Sequence, residues 1–104
     1  MWKGDISNLD HVAIEALKNR ILIKPMCCEN ARVHIYGHKR NTGFSSAWVW
    51  CSSCGAYSHL DGIPINETWE NDSNVDMSQV TAVPIYLESI ADAIDEHFDR
   101  FMGI

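Results

Sequence analysis

Basic residues nearly vanish from the second half of this chain. Residues 55–104 carry one, Arg100, against ten Asp and Glu, a net of −9. Residues 1–54 carry seven Lys and Arg against four Asp and Glu, a net of +3, and the 104 residues together stand at −6. So acidic a half disfavours DNA or RNA as the main ligand, because phosphate binding needs a cationic surface. No run of about 18 apolar residues occurs, so no membrane-spanning helix and no membrane partner are expected. The opening Met1-Trp2-Lys3-Gly4-Asp5 shows neither the apolar core nor the small-residue cleavage site of a signal peptide, so the cytosol is the expected compartment. There is no internal repeat and no low-complexity tract. Several reaction signatures are missing as well: a Walker glycine loop, H-E-x-x-H and G-x-S-x-G. The H-x-E and P-C-x-x-C halves of a zinc deaminase both fail, since Trp50 precedes Cys51 and Ile35-Tyr36 follows His34.

What the chain does have is cysteine in two tight clusters. Cys51 and Cys54 lie in Trp48-Val49-Trp50-Cys51-Ser52-Ser53-Cys54-Gly55, and Cys27-Cys28 lie upstream. A C-x-x-C-G turn lets two thiolates reach one ion while the glycine permits the bend. A second such turn about 20 residues away completes a four-ligand zinc ribbon. Adjacent cysteines tend to project apart, so one of Cys27 and Cys28 is expected to ligate, with His34, His38 or His59 as substitute fourth ligands. Four protein ligands leave no open position, so one structural zinc is the cofactor to look for; reduced, partly buried thiols are the alternative. Trp50 to Cys54 also resembles the thioredoxin W-C-x-x-C motif. That motif opens a helix, whereas the alternation after Gly55 suggests a strand.

The expected fold class is α+β, a single domain over residues 1–104 with an N-terminal helix, a three-stranded antiparallel meander, a packed loop and a C-terminal helix on the sheet. Leu9, Val12, Ala13, Ala16 and Leu17 form an apolar stripe over residues 7–20, with Ser7 or Asn8 as cap. Ile21 to Ile23 either extend that helix or start a strand, and Pro25 ends the helical option. Residues 32–37 alternate as a half-buried strand and 37–43 make a hairpin loop. Residues 44–51 form a central strand with Phe44, Ser46, Trp48 and Trp50 on one face, and 56–60 form the third strand. From 61 to 78 turn formers dominate, yet Ile63, Ile65 and Trp69 are apolar, so the loop is expected to pack. Leu87, Ile90, Ala91, Ile94, Phe98 and Phe101 mark a helix over 84–101. His11 and Glu15 are expected as a solvated pair, and strand histidines such as His34 and His38 are more often surface or satisfied core residues than an acid–base pair.

The acidic half suggests a basic protein partner, because complementary charge speeds capture. The candidate surface is Asp61, Glu67, Glu70, Asp72 and Asp76 in the loop, with Glu88, Asp92, Asp95, Glu96 and Asp99 on the last helix. Trp69 is the candidate aromatic anchor, with a core lid as its alternative role. The block Trp48 to His59, then Glu70-Asn71, then Thr81-Ala82-Val83-Pro84 leading to Leu87-Glu88 and Asp92 to His97, resembles small bacterial proteins of unassigned or immunity type. Immunity proteins are encoded beside secreted or contact-delivered toxins. The resemblance spans roughly residues 27–98, carries over no functional residue, and implies a non-enzymatic inhibitor that occludes a toxin domain, often a basic nuclease. A zinc-ribbon-like structural adaptor and, third, a dithiol oxidoreductase are the other readings.

Overall fold

The computed structural model describes residues 2–4, 8–41 and 43–104. Strand β1 is Lys3–Gly4, helix α1 Leu9–Asn19, and strands β2, β3 and β4 are Val33–Lys39, Ser45–Cys51 and Ala56–Asp61. A 3₁₀ turn at Met77–Gln79 precedes helices α2, Ile85–Ser89, and α3, Ala91–Met102. The protein is thus α+β, but its sheet is not the expected three-stranded antiparallel meander. It has four strands in the order β1-β4-β3-β2, and β1 runs parallel to β4. Two residues carry no readable alternation, which is why β1 escapes a periodicity argument. β2, β3 and β4 pair antiparallel in chain order.

Helix α1 buries the stripe read from its sequence, Leu9, Val12, Ala13, Ala16 and Leu17. Its cap differs from expectation. Asn8 occupies the N-cap position without a side-chain cap bond. Its amide donates instead to Lys24 O at 2.9 Å, and its Oδ1 accepts from Met26 N at 2.9 Å. Ser7, the other candidate cap, lies outside the described residues. Arg20 ends the helix in the left-handed region at φ 55°, and residues 21–23 neither extend it nor form a strand.

The sheet is covered on both faces. Gly37 faces α1, where an added Cβ would stand 3.0 Å from Ile65 Cδ1 and 3.4 Å from Leu17. The other face carries His34, Tyr36, Trp48 and Trp50, opposed in register as His34 to Trp50 and Tyr36 to Trp48. It receives α2, α3 and the loop before them. Strand β2 is therefore buried on both sides at its centre, not half-buried. β3 is central and wholly buried, as its aromatics suggested. Phe44 is the exception: it precedes the strand and is exposed. β2 continues to Lys39, so the connecting loop is shorter than expected, and Thr42 within it lies outside the described residues.

The loop packs as expected. Trp69 is 1 % exposed and meets Tyr36 and Phe101 edge to face, and Val75 joins the same core. The expected helix over 84–101 is broken at Ile90, whose φ of −120° interrupts it. The Ser89 hydroxyl donates to Tyr86 O, a local bond that competes with the helical ladder. Among the described residues, no helix is long and apolar enough to cross a membrane.

Candidate metal centre

Both cysteine clusters converge. The sulfurs of Cys27, Cys28, Cys51 and Cys54 all lie within 4.8 Å of one another, and all four thiols are free. Cys28 and Cys51 are 3.8 Å apart. Four thiolates about 2.3 Å from a tetrahedral zinc would stand roughly 3.8 Å apart, so the set fits a metal ion with small inward movements.

The backbone explains how two neighbouring cysteines point the same way. Cys27 and Cys28 lie in a bend, not a strand, so the alternation that would separate them does not operate. Asn8 fixes residues 24–26 just before it. Asn30 turns the chain at φ 53° just after it, and its carbonyl accepts from the Ser53 hydroxyl at 3.1 Å. Ser52 N donates to Arg32 O at 2.9 Å, joining the two cysteine turns again. At the second turn Gly55 takes φ 81° and its N–H donates to Cys51 O at 2.9 Å. A left-handed residue is needed there, and glycine adopts that conformation without strain.

None of the substitute fourth ligands is at the cluster. His34 and His38 alternate with Val33 and Ile35, so they lie on the face opposite Cys51, which pairs with Val33. His59 stacks on Trp48 at 4.6 Å on that same opposite face. The cysteines alone make up the four.

Electrostatics distinguish them. Burial pushes the Cys51 thiol up. Backbone hydrogen bonds at Cys54, Arg32 and Ser53, with the Cys54 side chain, outweigh that and hold it down at about 6. Burial and then hydrogen bonds with Cys54 and Cys51 push Cys27 strongly up, and the same causes push Cys28 up to about 11. Four adjacent sulfurs cannot all ionise unless a cation shares their charge, which a bound metal supplies.

A polar network that sequence reasoning missed ties this centre to the C-terminal helices. Ser52, inside the C-x-x-C turn, donates to Glu88 at 2.7 and 2.9 Å, and Trp50 Nε1 donates to the same carboxylate at 2.6 Å. His34 Nε2 lies 2.7 Å from the Ser52 oxygen, and His34 Nδ1 lies 2.7 Å from Asp95 Oδ1. Serine, histidine and aspartate in line suggest a nucleophile with its base. Here, however, Glu88 engages the hydroxyl with both oxygens, and a carboxylate at that position opposes a developing oxyanion. The N–H groups of Ser53 and Cys54, the nearest backbone donors in sequence, are directed at Cys51. The network fastens a turn to two helices. Neither serine of C-S-S-C carries a local pattern that signals it.

The carboxylates expected on the surface divide. Asp61, Glu67, Glu70, Asp76, Asp92, Glu96 and Asp99 are exposed. Glu88 and Asp95 are half-buried and turned inward to the network. Asp72 is buried, and so is Trp69, which is a core residue and no exposed anchor. The apolar residues around Trp69 gave no period from which its direction could be read. Compared with family models, curated proteins and solved structures, the chain matches none.

Proposed function

We propose that this protein is a non-enzymatic binding module in which a structural zinc on Cys27, Cys28, Cys51 and Cys54 locks the sheet and an acidic face engages a basic protein. In the immunity reading that protein is a toxin domain, occluded when its basic groove is covered. The observation that carries the partner reading is the distribution of exposed charge. Residues 55–104 place seven exposed carboxylates against one cation of their own, Arg100, which Glu96 holds at 3.0 Å; of the seven, Asp61 also has Arg40 of the first half at 3.8 Å. Such a field accelerates capture of a cationic surface and disfavours nucleic acid. Zinc rests on the four sulfurs and their spacing, and four thiolates give it a structural, closed coordination.

A zinc-ribbon-like adaptor in a larger assembly is the second reading. It is favoured by exposed Leu22 and Met26 in the segment leading to Cys27. Native mass spectrometry of the protein taken gently from its host, with neighbouring genes intact, separates the two. A salt-sensitive complex with one basic neighbour, the protein carrying one zinc, is the expected spectrum. A metal-free monomer would count against both parts of the proposal, and a zinc-loaded protein in a salt-insensitive multi-subunit assembly would favour the adaptor.

A further inference from the structure

The four thiols of the metal centre are not equally reachable. Cys51 is fully buried, at 0 % exposed. Cys28 is half-buried and lines an open groove of about 820 Å³, walled also by Lys24, Pro25, Met26 and Ala31. Of the four cysteines, Cys28 alone lines it. Oxidation of cysteine selects the sulfurs that a solute can reach. Inward of Cys28 lies the Cys51 sulfur, 3.8 Å away. A disulfide sets its sulfurs about 2.05 Å apart, so this pair closes with less than about 2 Å of movement. The turns that carry the two residues are already tied together, by the Ser53 hydroxyl donating to Asn30 O and by Ser52 N donating to Arg32 O.

We propose that Cys28 and Cys51 make this centre a redox switch, in which hydrogen peroxide entering the groove oxidises Cys28, Cys51 closes a disulfide onto it, and the zinc is released. This deepens the zinc reading and rests on it. The Cys28 sulfur attacks one peroxide oxygen; the O–O bond breaks and hydroxide leaves, giving a sulfenic acid. The Cys51 sulfur then attacks the Cys28 sulfur; the S–S bond forms, the S–O bond breaks and a second hydroxide leaves. The two sulfurs give up two electrons in all and the peroxide takes them. Each hydroxide gains a proton from solvent and becomes water. Burial withholds Cys51 from the oxidant but not from its neighbour, so Cys51 is the resolving sulfur. Cys27 and Cys54 remain, two ligands where a closed zinc site uses four. Ser52 follows Cys51 and donates to Glu88 at 2.7 and 2.9 Å, and Trp50, just before it, donates to the same carboxylate at 2.6 Å. Closing the disulfide therefore pulls on the docking of α2.

The test is stepwise addition of hydrogen peroxide to the zinc-loaded protein, read by a chromogenic zinc indicator, by alkylation with peptide mass mapping, and by nitrogen–proton NMR. One zinc should reach solution for each disulfide formed. The bridged peptides should be those of Cys28 and Cys51, with Cys27 and Cys54 alkylated. Dimedone added with the peroxide should mark Cys28. The Trp50 indole signal should shift on oxidation and return when a thiol reductant and zinc are supplied. A bridge between Cys51 and Cys54, dimedone on Cys27 or Cys54 instead of Cys28, or an indole signal indifferent to oxidation would each overturn the assignment. A zinc-loaded protein that peroxide leaves intact removes the switch and leaves the structural zinc standing. A protein that takes up no zinc yet bridges Cys28 to Cys51 removes the zinc reading and leaves the sulfur pairing.

Discussion

Asp61 shows how one hydrogen bond sets a surface charge. The buried Ser46 hydroxyl donates to its Oδ1 at 2.6 Å. That bond is the main reason the Asp61 carboxyl titrates below the usual carboxylate range, with burial opposing and the charges of His59 and Arg40 assisting. A folded pKa below the unfolded value of about 3.9 stabilises the fold above that pH and ceases to do so as pH falls through the folded value. Ser46→Ala should therefore move Asp61 back up and reduce the acid sensitivity of stability below about pH 4, with little effect of the Asp61 charge on that slope near neutrality. Carboxyl-carbon NMR of Asp61 with urea unfolding at both pH values checks it; an unmoved Asp61 titration in the variant would sink the assignment. The sequence offers Asp61 as a free acidic residue. Its partner follows from the register that sets Ser46 opposite it, which no local pattern encodes. Of the two roles open to Trp69 the core one holds, whereas Asp72 was misread for a related reason: turn-forming neighbours say where the chain bends, not which side chains turn inward.

At the level of elements, patterns with a full period were legible and short or interrupted ones were not. The α1 stripe, three sheet strands and their order of pairing follow from spacing alone. The break at Ile90 does not, because Leu87, Ile90, Ala91 and Ile94 keep helical spacing straight through it. The C-x-x-C-G turn was legible down to its glycine, whereas the convergence of Cys27 with Cys28 depended on Asn8, eighteen residues from the Met26 N–H it accepts. The junction of these elements yields a prediction. Ser52 lies between two metal-ligand candidates and donates to Glu88 on α2. Stripping the metal from the zinc-loaded protein with a chelator, or replacing Cys54 with Ser, should loosen the turn and with it the docking of α2. Because a substantial hydrophobic core lies elsewhere, the chain should stay folded while its melting temperature falls by roughly 10 °C or more. Hydrogen exchange should quicken first at residues 51–55 and 85–89. Glu88→Gln in the metal-loaded protein should reproduce only the α2 part, costing about 1–3 kcal/mol. Calorimetry and hydrogen exchange read both; identical melting with and without one equivalent of bound zinc would refute the structural role.

For the whole molecule, charge and core occupy different places. The apolar groups of both sheet faces are spent on α1, α2, α3 and the packed loop, and exposed Glu67 and Glu70 lie outside that packing. Replacing both with Lys should leave stability within about 0.5 kcal/mol, since each is a surface side chain without an ion pair among the described contacts. Capture of a basic partner should behave differently. Long-range attraction acts before contact, so the variant should associate about tenfold more slowly at low salt, with dissociation much less affected. Salt should narrow the gap, because the screening length shrinks from about 10 Å at 0.1 M to about 3 Å at 1 M. Stopped-flow or surface-binding kinetics across that range, on the partner recovered by native mass spectrometry, is the measurement. A rate that ignores both the substitutions and the salt would mean that contact chemistry, not the acidic field, selects the partner, and the exposed carboxylates would then be only a solvated surface.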